Sequence, residues 1–324
     1  MRLRLLIGLV LALTVGRVSC AADEPYDFAI IGDLPYNAFE RRQLPALLSE
    51  IERGANRFVV HVGDIKAGSA RCDDATLQEA QRLLDGSPLP LIYTPGDNEW
   101  ADCHRKAAGG FEPLERLEAL RRLFFASPQS LGRQTFPLAR QSAEPGFEDF
   151  VENQRWQHGP VLFLTIHIVG GNNALRPRQA GSAQHAFRTR ERANLAWLAA
   201  GFKEALAARL GAVVVFIHGN PRLEHYRNGK RENGYTTFLQ QLDEASRSFP
   251  GQVVLVHGDT HKQSIELAPV NARPSARASR VTRIETHGHP FMGWVQVSVR
   301  PHESPLLRFS AHPYPTPADG TALP

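Results

Sequence analysis

A chain of 324 residues with 42% apolar side chains is long enough to bury a full hydrophobic core, which excludes an intrinsically disordered protein. The formal net charge is +4, but three arginines lie in the first 21 residues, and the remainder carries 34 basic against 33 acidic side chains. This near-neutral balance, without a basic stripe, argues against a nucleic acid partner.

The N-terminus has the pattern of a signal peptide. A basic start, Met1 to Arg4, precedes an apolar run of about a dozen residues, and small residues follow around Cys20. We expect residues 1–21 to be removed on export and residues 22–324 to form one domain in the periplasm or outside the cell. A lipoprotein acylated at Cys20 is the weaker alternative, because Arg17 stands where such sites favour leucine. No other stretch reaches about 18 apolar residues, so no transmembrane segment is predicted in the mature chain.

Four short apolar runs share one pattern, because each has strand length and ends in or close to Gly-Asp. The runs are FAII, FVVHV, PLIY and VVLVH, and the Gly-Asp pairs stand at 32–33, 63–64, 96–97 and 258–259. Helical patterns at 38–54 and 73–86 lie between the early runs, and Asp73 and Asp74 are candidate N-cap residues of the second. Strands that alternate with helices predict βαβ crossovers and a largely parallel inner sheet.

The later part of the chain continues this alternation. A helix is predicted over 113–125, and the strands VLFLTIHIV and AVVVFIHG flank a helical pattern at 190–210. Near the C-terminus, RVTRIETHG and WVQVSVR lie on either side of a Pro-Phe-Met-Gly turn, and their alternation predicts antiparallel strands. No linker marks a domain boundary.

The aspartates of the four Gly-Asp pairs are expected to converge. The carboxyl ends of parallel strands lie along one edge of a sheet, and the residue beyond each strand points into the crevice there. Converging carboxylates repel one another and lose hydration, so they need cations to stay ionised and together. His218, at the end of VVVFIH, and His261, two residues after Asp259, belong to the same edge. The predicted metal ligands are Asp33, Asp64, Asp97, His218, Asp259 and His261.

The order GD at 33, GD at 64, GDNE at 96–99, His218 and GDTH at 258–261 resembles the five-block signature of calcineurin-like metallophosphoesterases. That signature runs DxH, GDxxD, GNH(D/E), H and GHxH. The resemblance spans roughly residues 28–261 and implies an α/β protein, a four-layer α/β/β/α sandwich with mixed sheets. It also implies two metals bridged by a carboxylate, and hydrolysis of a phosphate ester by a metal-bound hydroxide.

The resemblance assigns each ligand a place. Asp33 and His261 would bind the first metal, Asp64 would bridge, and Asp97 and His218 would bind the second. Several positions depart from the signature. Pro35, Asn98 and Asp259 replace histidines, Asp97 replaces an asparagine, and Ala67 replaces an aspartate. The set of metal ligands therefore shifts from imidazole to carboxylate. Carboxylates suit hard ions such as Mg²⁺, Mn²⁺ or Ca²⁺, while Fe and Zn remain open, and one or two divalent ions are expected.

The catalytic candidates are Asp64, Asn98 and His104. In the family that the sequence resembles, the histidine that Asn98 replaces is thought to protonate the leaving group. Asparagine cannot transfer a proton at neutral pH. We therefore expect small phosphorylated substrates with good leaving groups, such as aryl esters or phosphoanhydrides. His104 is a conjectural substitute, held near the third block if Cys72 and Cys103 form a disulfide.

Other candidates each have a structural alternative. Lys66 could orient phosphate or offset a missing ion, or be a solvated lysine on a loop. Asn172 and Asn173 could contact substrate, or belong to an ordinary tight turn. Two cysteines in an oxidising compartment predict a Cys72–Cys103 disulfide, with free thiols or a redox switch as alternatives. Three aromatic residues near the blocks could line a pocket or simply pack: Tyr36, Trp100 and Tyr226.

The sequence thus predicts an exported, metal-dependent phosphoesterase. A non-catalytic protein that binds a metal or a phosphorylated ligand on the same fold is the alternative, because the family histidines at positions 35 and 98 are missing. The physiological substrate, the choice between monoester and diester, and the oligomeric state are not determined by the sequence.

Overall fold

The computed structural model describes residues 24–175, 181–230, 233–268 and 280–315. The predicted signal peptide lies outside these ranges. Two β-sheets pack face to face, and helices cover the outer face of each, so the predicted four-layer sandwich with mixed sheets is confirmed. Within the described ranges, no helix has the length and apolar content needed to cross a membrane.

Twelve strands form the two sheets in the described part of the chain. They are β1 (Tyr26–Ile31), β2 (Asn56–His61), β3 (Leu91–Tyr93), β4 (Ala139–Arg140), β5 (Gln154–His158), β6 (Val161–Thr165), β7 (Ala212–Phe216), β8 (Gln252–His257), β9 (Ser264–Glu266), β10 (Val281–Glu285), β11 (Gly293–Val299) and β12 (Leu307–Pro313). The first sheet has the order β12-β11-β1-β2-β3, and the second has the order β4-β5-β6-β7-β8-β10-β9. The inner strands are parallel, as β1 is to β2, β2 to β3, β6 to β7 and β7 to β8.

The space between the sheets is filled by the inward side chains of both. Phe28 of β1 stacks on Phe58 of β2 with ring centroids 4.9 Å apart, and meets Phe163 of β6 edge to face at 5.2 Å. All three rings are buried. Burial of one such side chain contributes about 1.5–3 kcal/mol to the stability of the fold, so these rings hold the two sheets together.

Helices close the sandwich on both sides, and their longer members are Ala38–Arg53, Asp74–Asp85, Pro113–Phe124, Ser182–Ala207 and Thr236–Ser248. The first three pack on the first sheet, and the last two on the second. Asp73 caps the second helix by accepting from the backbone N–H of Thr76, as its sequence predicts. The fourth helix begins at Ser182, before the predicted start at 190, because Phe187 and Arg190 already face the interior.

The predicted C-terminal strands have antiparallel neighbours, but they lie in different sheets. β10 lies antiparallel to β9 and parallel to β8 in the second sheet, and β11 lies antiparallel to β1 and β12 in the first. Alternation shows which faces are buried but not which strand is the neighbour. The connection at 286–292 therefore crosses between the sheets, and His289 donates its backbone N–H to Asp33 O at 3.0 Å.

Candidate metal centre

The predicted ligands follow the carboxyl ends of parallel strands in both sheets. Asp33, Asp64 and Asp97 come after β1, β2 and β3, while His218 and Asp259 come after β7 and β8. Backbone bonds join neighbouring strand ends, such as Asp33 N–H to Gly63 O at 3.0 Å and Gly258 N–H to His218 O at 3.0 Å. The edges of the two sheets thus meet at one crevice, and the aspartates and histidines converge there.

Four of these ligands adopt a backbone conformation that is unusual for residues with a side chain. The φ angles of Asp33, Asp64, Asp259 and His261 are 54°, 58°, 77° and 57°. Such left-handed conformations cost about 1–3 kcal/mol each and persist where the surroundings enforce them, often at functional sites. The sharp turn after each strand aims its side chain back into the crevice.

Glycines of the Gly-Asp pairs make room for carboxylates that come from other strands. A Cβ at Gly96 would overlap Oδ1 of Asp64, and a Cβ at Gly258 would overlap Oδ2 of Asp33. Each of these glycines therefore leaves space for the aspartate of a different Gly-Asp pair: Gly96 for Asp64, and Gly258 for Asp33.

His218 is held in the orientation of a metal ligand. Its Nδ1 lies 2.8 Å from Val62 O, so Nδ1 carries a proton and Nε2 is the ring nitrogen that faces the carboxylates. Nε2 is buried 3.2 Å from Asp64 Oδ1 and 3.1 Å from Asp97 Oδ1. Although burial opposes it, these carboxylates and Asp33 raise the pKa of His218 well above its usual range, so without a metal a proton on Nε2 balances them. A metal ion at this point would replace that proton.

Two groups of side chains can each hold a metal ion, and they share His218. The first is Asp33, Asp64 and His218, and the second is Asp97, His218 and Asp259, each with its ligand atoms within 4.8 Å of one another. His261 lies beside the first group, because its Nε2 is 3.5 Å from Asp33 Oδ1 and its Nδ1 is fixed by His289 O at 2.7 Å. The residues present therefore fit one or two divalent ions.

Three of the carboxyl groups are penalised by burial, whereas Asp97 is not: burial would raise its pKa, but the hydrogen bond and charge of His218 lower it to about 2. Burial raises the pKa of Asp33 to about 7, and it raises the pKa of Asp64 well above its usual range. The pKa of Asp259 is also raised by burial. A bound cation reverses these shifts because it favours the ionised form of every carboxylate around it.

No protein-family model matches the sequence, and a search of curated proteins finds no match. The fold is similar to that of solved phosphatases. A dimetal phosphatase from Danio rerio superposes with a TM-score of 0.55 at 13% identity, over 89% of this chain and 96% of that one. The structure of PhoD gives a TM-score of 0.55 at 14% identity, over 90% of this chain and 69% of that one. The chain has the calcineurin-like metallophosphoesterase fold.

Tyr36 follows Pro35, the residue that replaces the first histidine of the metallophosphoesterase signature. The neighbouring Pro35 cannot coordinate, but the Tyr36 hydroxyl donates to Asp64 Oδ2 at 2.7 Å and lies 3.3 Å from His261 Nε2. The sequence indicated only that Tyr36 could line a pocket. Its position one residue after the expected histidine was the available signal, but its direction depends on the turn after β1.

Asn98 and Glu99 position Asp64 from the third block of the metallophosphoesterase signature. Asn98 donates through Nδ2 to Asp64 Oδ2 at 2.5 Å and through its backbone N–H to Oδ1 at 3.1 Å. The buried Glu99 accepts from the backbone N–H groups of Asp64 and Gly96 at 3.0 and 2.8 Å, and from the Tyr93 hydroxyl at 2.7 Å. Glu99 closes the GDNE motif of the sequence, but no role was predicted for its side chain.

Lys66 is buried, with 2% of its surface exposed, so the alternative of a solvated lysine is wrong. Its ammonium donates to the backbone carbonyls of Ala67 and Ala70, at 3.1 and 2.9 Å. Burial lowers the pKa of Lys66. Its charge lies near the centre, but its described hydrogen bonds hold its own loop together.

Asn172 and Asn173 lie in a left-handed turn beside the second metal group. Asn172 Oδ1 accepts from the backbone N–H of Gly234 at 2.8 Å, and Asn173 donates through Nδ2 to Gly234 O at 3.1 Å. The same turn brings the backbone N–H of Gly170 to Asp97 Oδ1 at 2.9 Å. Both side chains thus anchor the turn, and contact of either with substrate remains a prediction.

The predicted disulfide between Cys72 and Cys103 is confirmed, and both cysteines are buried. Their Sγ atoms lie 3.4 and 3.6 Å from Asn98 O, so the bridge packs against the loop of the third block. His104, the next residue, is exposed, and its Nδ1 lies 2.9 Å from Ala101 O. Its predicted role as a proton donor remains a prediction.

Proposed function

We propose that this protein is an exported phosphoesterase that depends on one or two divalent metal ions. The main support is the buried Nε2 of His218, which lies 3.2 and 3.1 Å from carboxylate oxygens of Asp64 and Asp97, in the position of a metal ligand. The likeness of the fold to a dimetal phosphatase agrees with this function. Export rests on the predicted leader at 1–21, and the disulfide agrees with an oxidising compartment.

The two acid-histidine groups would hold the ions, with His218 in both, Asp64 in the first and His261 beside the first. We propose that Asp64 bridges the two ions. Their oxygen-rich composition favours Mn²⁺, Mg²⁺ or Ca²⁺, with Fe and Zn as alternatives. Such ions supply Lewis acidity, which neutralises charge on the phosphoryl group and makes water a better nucleophile. Tyr36 and Asn98 fix the Asp64 carboxylate through hydrogen bonds to Oδ2, and Glu99 fixes its backbone.

The substrate class follows from position 98. Asn98 can donate a hydrogen bond to a phosphoryl oxygen or to Asp64, but it cannot supply a proton to the leaving group. We therefore propose small phosphorylated substrates whose leaving group departs as a stable anion, such as aryl esters or phosphoanhydrides. Lys66, Asn172 and Asn173 remain proposed substrate-binding residues, and His104 a proposed acid. An unchanged pH–rate profile in His104→Ala would exclude that role of His104.

The first experiment combines elemental analysis of the mature protein with hydrolysis of an aryl phosphate monoester and an aryl diester, in added Mn²⁺, Mg²⁺ or Zn²⁺. We expect bound metal and turnover in the wild type, and loss of both in Asp64→Ala. Asp149→Ala, which removes an exposed carboxylate, is the control and should keep both. Full metal content and turnover in Asp64→Ala would exclude the proposed centre.

A non-catalytic binding protein is the second candidate, and Asn98 is the observation that favours it. Its amide is engaged with Asp64 and with Lys66 O at 3.2 Å, so it would have to be released to meet a substrate. Metal-loaded protein that binds inorganic phosphate but hydrolyses neither ester with any of the three ions would establish this alternative.

A further inference from the structure

A cavity of about 300 Å³ is lined by residues that follow Asp97 in the chain and by the start of the helix Ser182–Ala207. Its walls include Trp100, Leu114, Ala186 and Arg190, with the exposed His104 also among its lining residues. We propose that this cavity binds the leaving group of the substrate, and that the group is a single ring with a hydrogen-bond acceptor. The role as a leaving-group site rests on the proposed phosphoesterase function, whereas the binding itself can be measured alone.

Two walls of the cavity are tied directly to Asp97. Trp100 donates its backbone N–H to Asp97 O at 3.3 Å. Ala174 follows the left-handed turn in which the Gly170 N–H donates to Asp97 Oδ1 at 2.9 Å. Both connections run from wall residues of the cavity to the Asp97 segment of the second metal group. In this proposal, a phosphoryl group at the centre would place its organic substituent between Trp100 and Ala174.

The lining combines an apolar surface with two buried donors that lack partners. Trp100 Nε1 and Arg190 Nε are buried without a hydrogen-bond partner, and their side chains are only 2% and 4% exposed. Buried donors are normally satisfied, so each calls for an acceptor that a ligand could bring. Aromatic and aliphatic walls suit the ring, while the two donors suit a carbonyl, nitro or carboxylate oxygen on it.

The guanidinium of Arg190 is held in one orientation, so it is preorganised to bind a ligand. Its Nη2 donates to Asn173 O at 2.6 Å, and its guanidinium lies 5.2 Å from the centre of the Trp100 ring. Among the described residues, no carboxylate forms an ion pair with it. An anionic substituent on the ring would supply the missing counter-charge.

The size of the cavity sets a limit on its occupant. Ligand sites usually measure about 300–1,000 Å³, and this one lies at the lower end of that range. One substituted ring fits, whereas an extended polymer would leave most of its length outside. The proposal therefore favours small aryl esters among the substrates with good leaving groups.

Benzoate is the probe, because it has one ring and one anionic acceptor but no phosphate. Ligand-observed NMR titration of the metal-free mature protein should show saturable binding to the wild type. Ala186→Trp, which fills the cavity from the helix Ser182–Ala207, should weaken binding at least tenfold, and Trp100→Phe, which removes only the indole donor, should weaken it about fivefold. Ala199→Trp, an exposed position on the same helix, is the control and should bind as the wild type does.

The same variants are then tested with 4-nitrophenyl phosphate and metal. Ala186→Trp should raise KM at least tenfold with an unchanged melting temperature, whereas Ala199→Trp should not change KM. The proposal is overturned if the wild type does not bind benzoate, or if Ala186→Trp binds it as tightly as Ala199→Trp does. If benzoate binds as expected but no ester is hydrolysed, the ligand site stands and the phosphoesterase function fails.

Discussion

The hydroxyl of Tyr36 donates a 2.7 Å hydrogen bond to Oδ2 of Asp64, a carboxylate of the first candidate metal group. Tyr36→Phe removes this bond and keeps the ring. Hydrogen bonds to charged groups contribute about 1.5–3 kcal/mol, so we expect metal affinity or kcat to fall about 10- to 100-fold. Metal titration and steady-state kinetics measure the two effects separately. Tyr314→Phe, whose hydroxyl makes only a 3.4 Å contact with Gln43, is the matched control, and equal effects of the two substitutions would contradict the assigned role.

Gly170 leaves space that the carboxylates of the second metal group occupy. A Cβ at this position would overlap Oδ1 of Asp97 and Oδ1 of Asp259, so Gly170→Ala should displace both and lower metal occupancy at least tenfold. Gly171→Ala tests backbone strain alone, since Gly171 has a φ of 58° and no atom lies within 4 Å of the point where its methyl group would stand. We expect Gly171→Ala to lose about 1 kcal/mol of stability but to keep its metal. Elemental analysis measures the metal content of both variants. Full metal occupancy in Gly170→Ala would refute the prediction.

Asp33 should destabilise the metal-free protein increasingly as pH rises from about 4 to about 7. Three buried histidines act in the opposite direction below about pH 6.5, because burial lowers the pKa of His61 and His167 to about 4 and that of His257 to about 3. Burial raises the pKa of Asp33 from 3.8 to about 7, so in this window the folded protein keeps a proton that the unfolded chain has lost. The penalty from Asp33 alone reaches up to about 4 kcal/mol by pH 7, at about 1.4 kcal/mol per pKa unit. The raised pKa of Asp64 acts in the same direction.

Urea denaturation at pH 5, 6, 7 and 8, with EDTA or with Mn²⁺, measures this dependence. Mn²⁺ should stabilise the protein more at pH 8 than at pH 5, because the ion binds ionised carboxylates. Relative to the wild type, metal-free Asp33→Asn should become progressively more stable as pH rises from 5 to 7, because its side chain no longer titrates and the histidines are the same in both proteins. A stability difference between the two proteins that does not change with pH would rule out the assigned shift.

The Cys72–Cys103 disulfide should stabilise both the fold and the metal centre. Its cysteines are 31 residues apart, and a loop of this length gives about 3–4 kcal/mol by the chain-entropy model. The double substitution Cys72→Ala with Cys103→Ala should lower the urea midpoint accordingly and weaken metal binding, because both Sγ atoms pack on Asn98 O. Reductant should not affect the double variant further. A double variant with the wild-type urea midpoint would show that the bridge is not stabilising.

The sequence by itself determined the parallel strands, the capped helices, the disulfide pair and the convergence of four Gly-Asp pairs with two histidines. These features follow from local rules, because alternation, caps and strand ends are set by residues close together in the chain. The four-layer arrangement was implied by the resemblance of the five blocks to the metallophosphoesterase signature.

Only the tertiary structure decided which side chains meet the ligands. The hydroxyl of Tyr36, the shared position of His218, the carboxylate of Glu99 and the cavity lined by Trp100 and Arg190 depend on contacts between segments far apart in sequence. The separation of β10 and β11 into different sheets has the same origin. Periodicity specifies which face of an element is buried, but the partner on that face is chosen by how all the elements pack together.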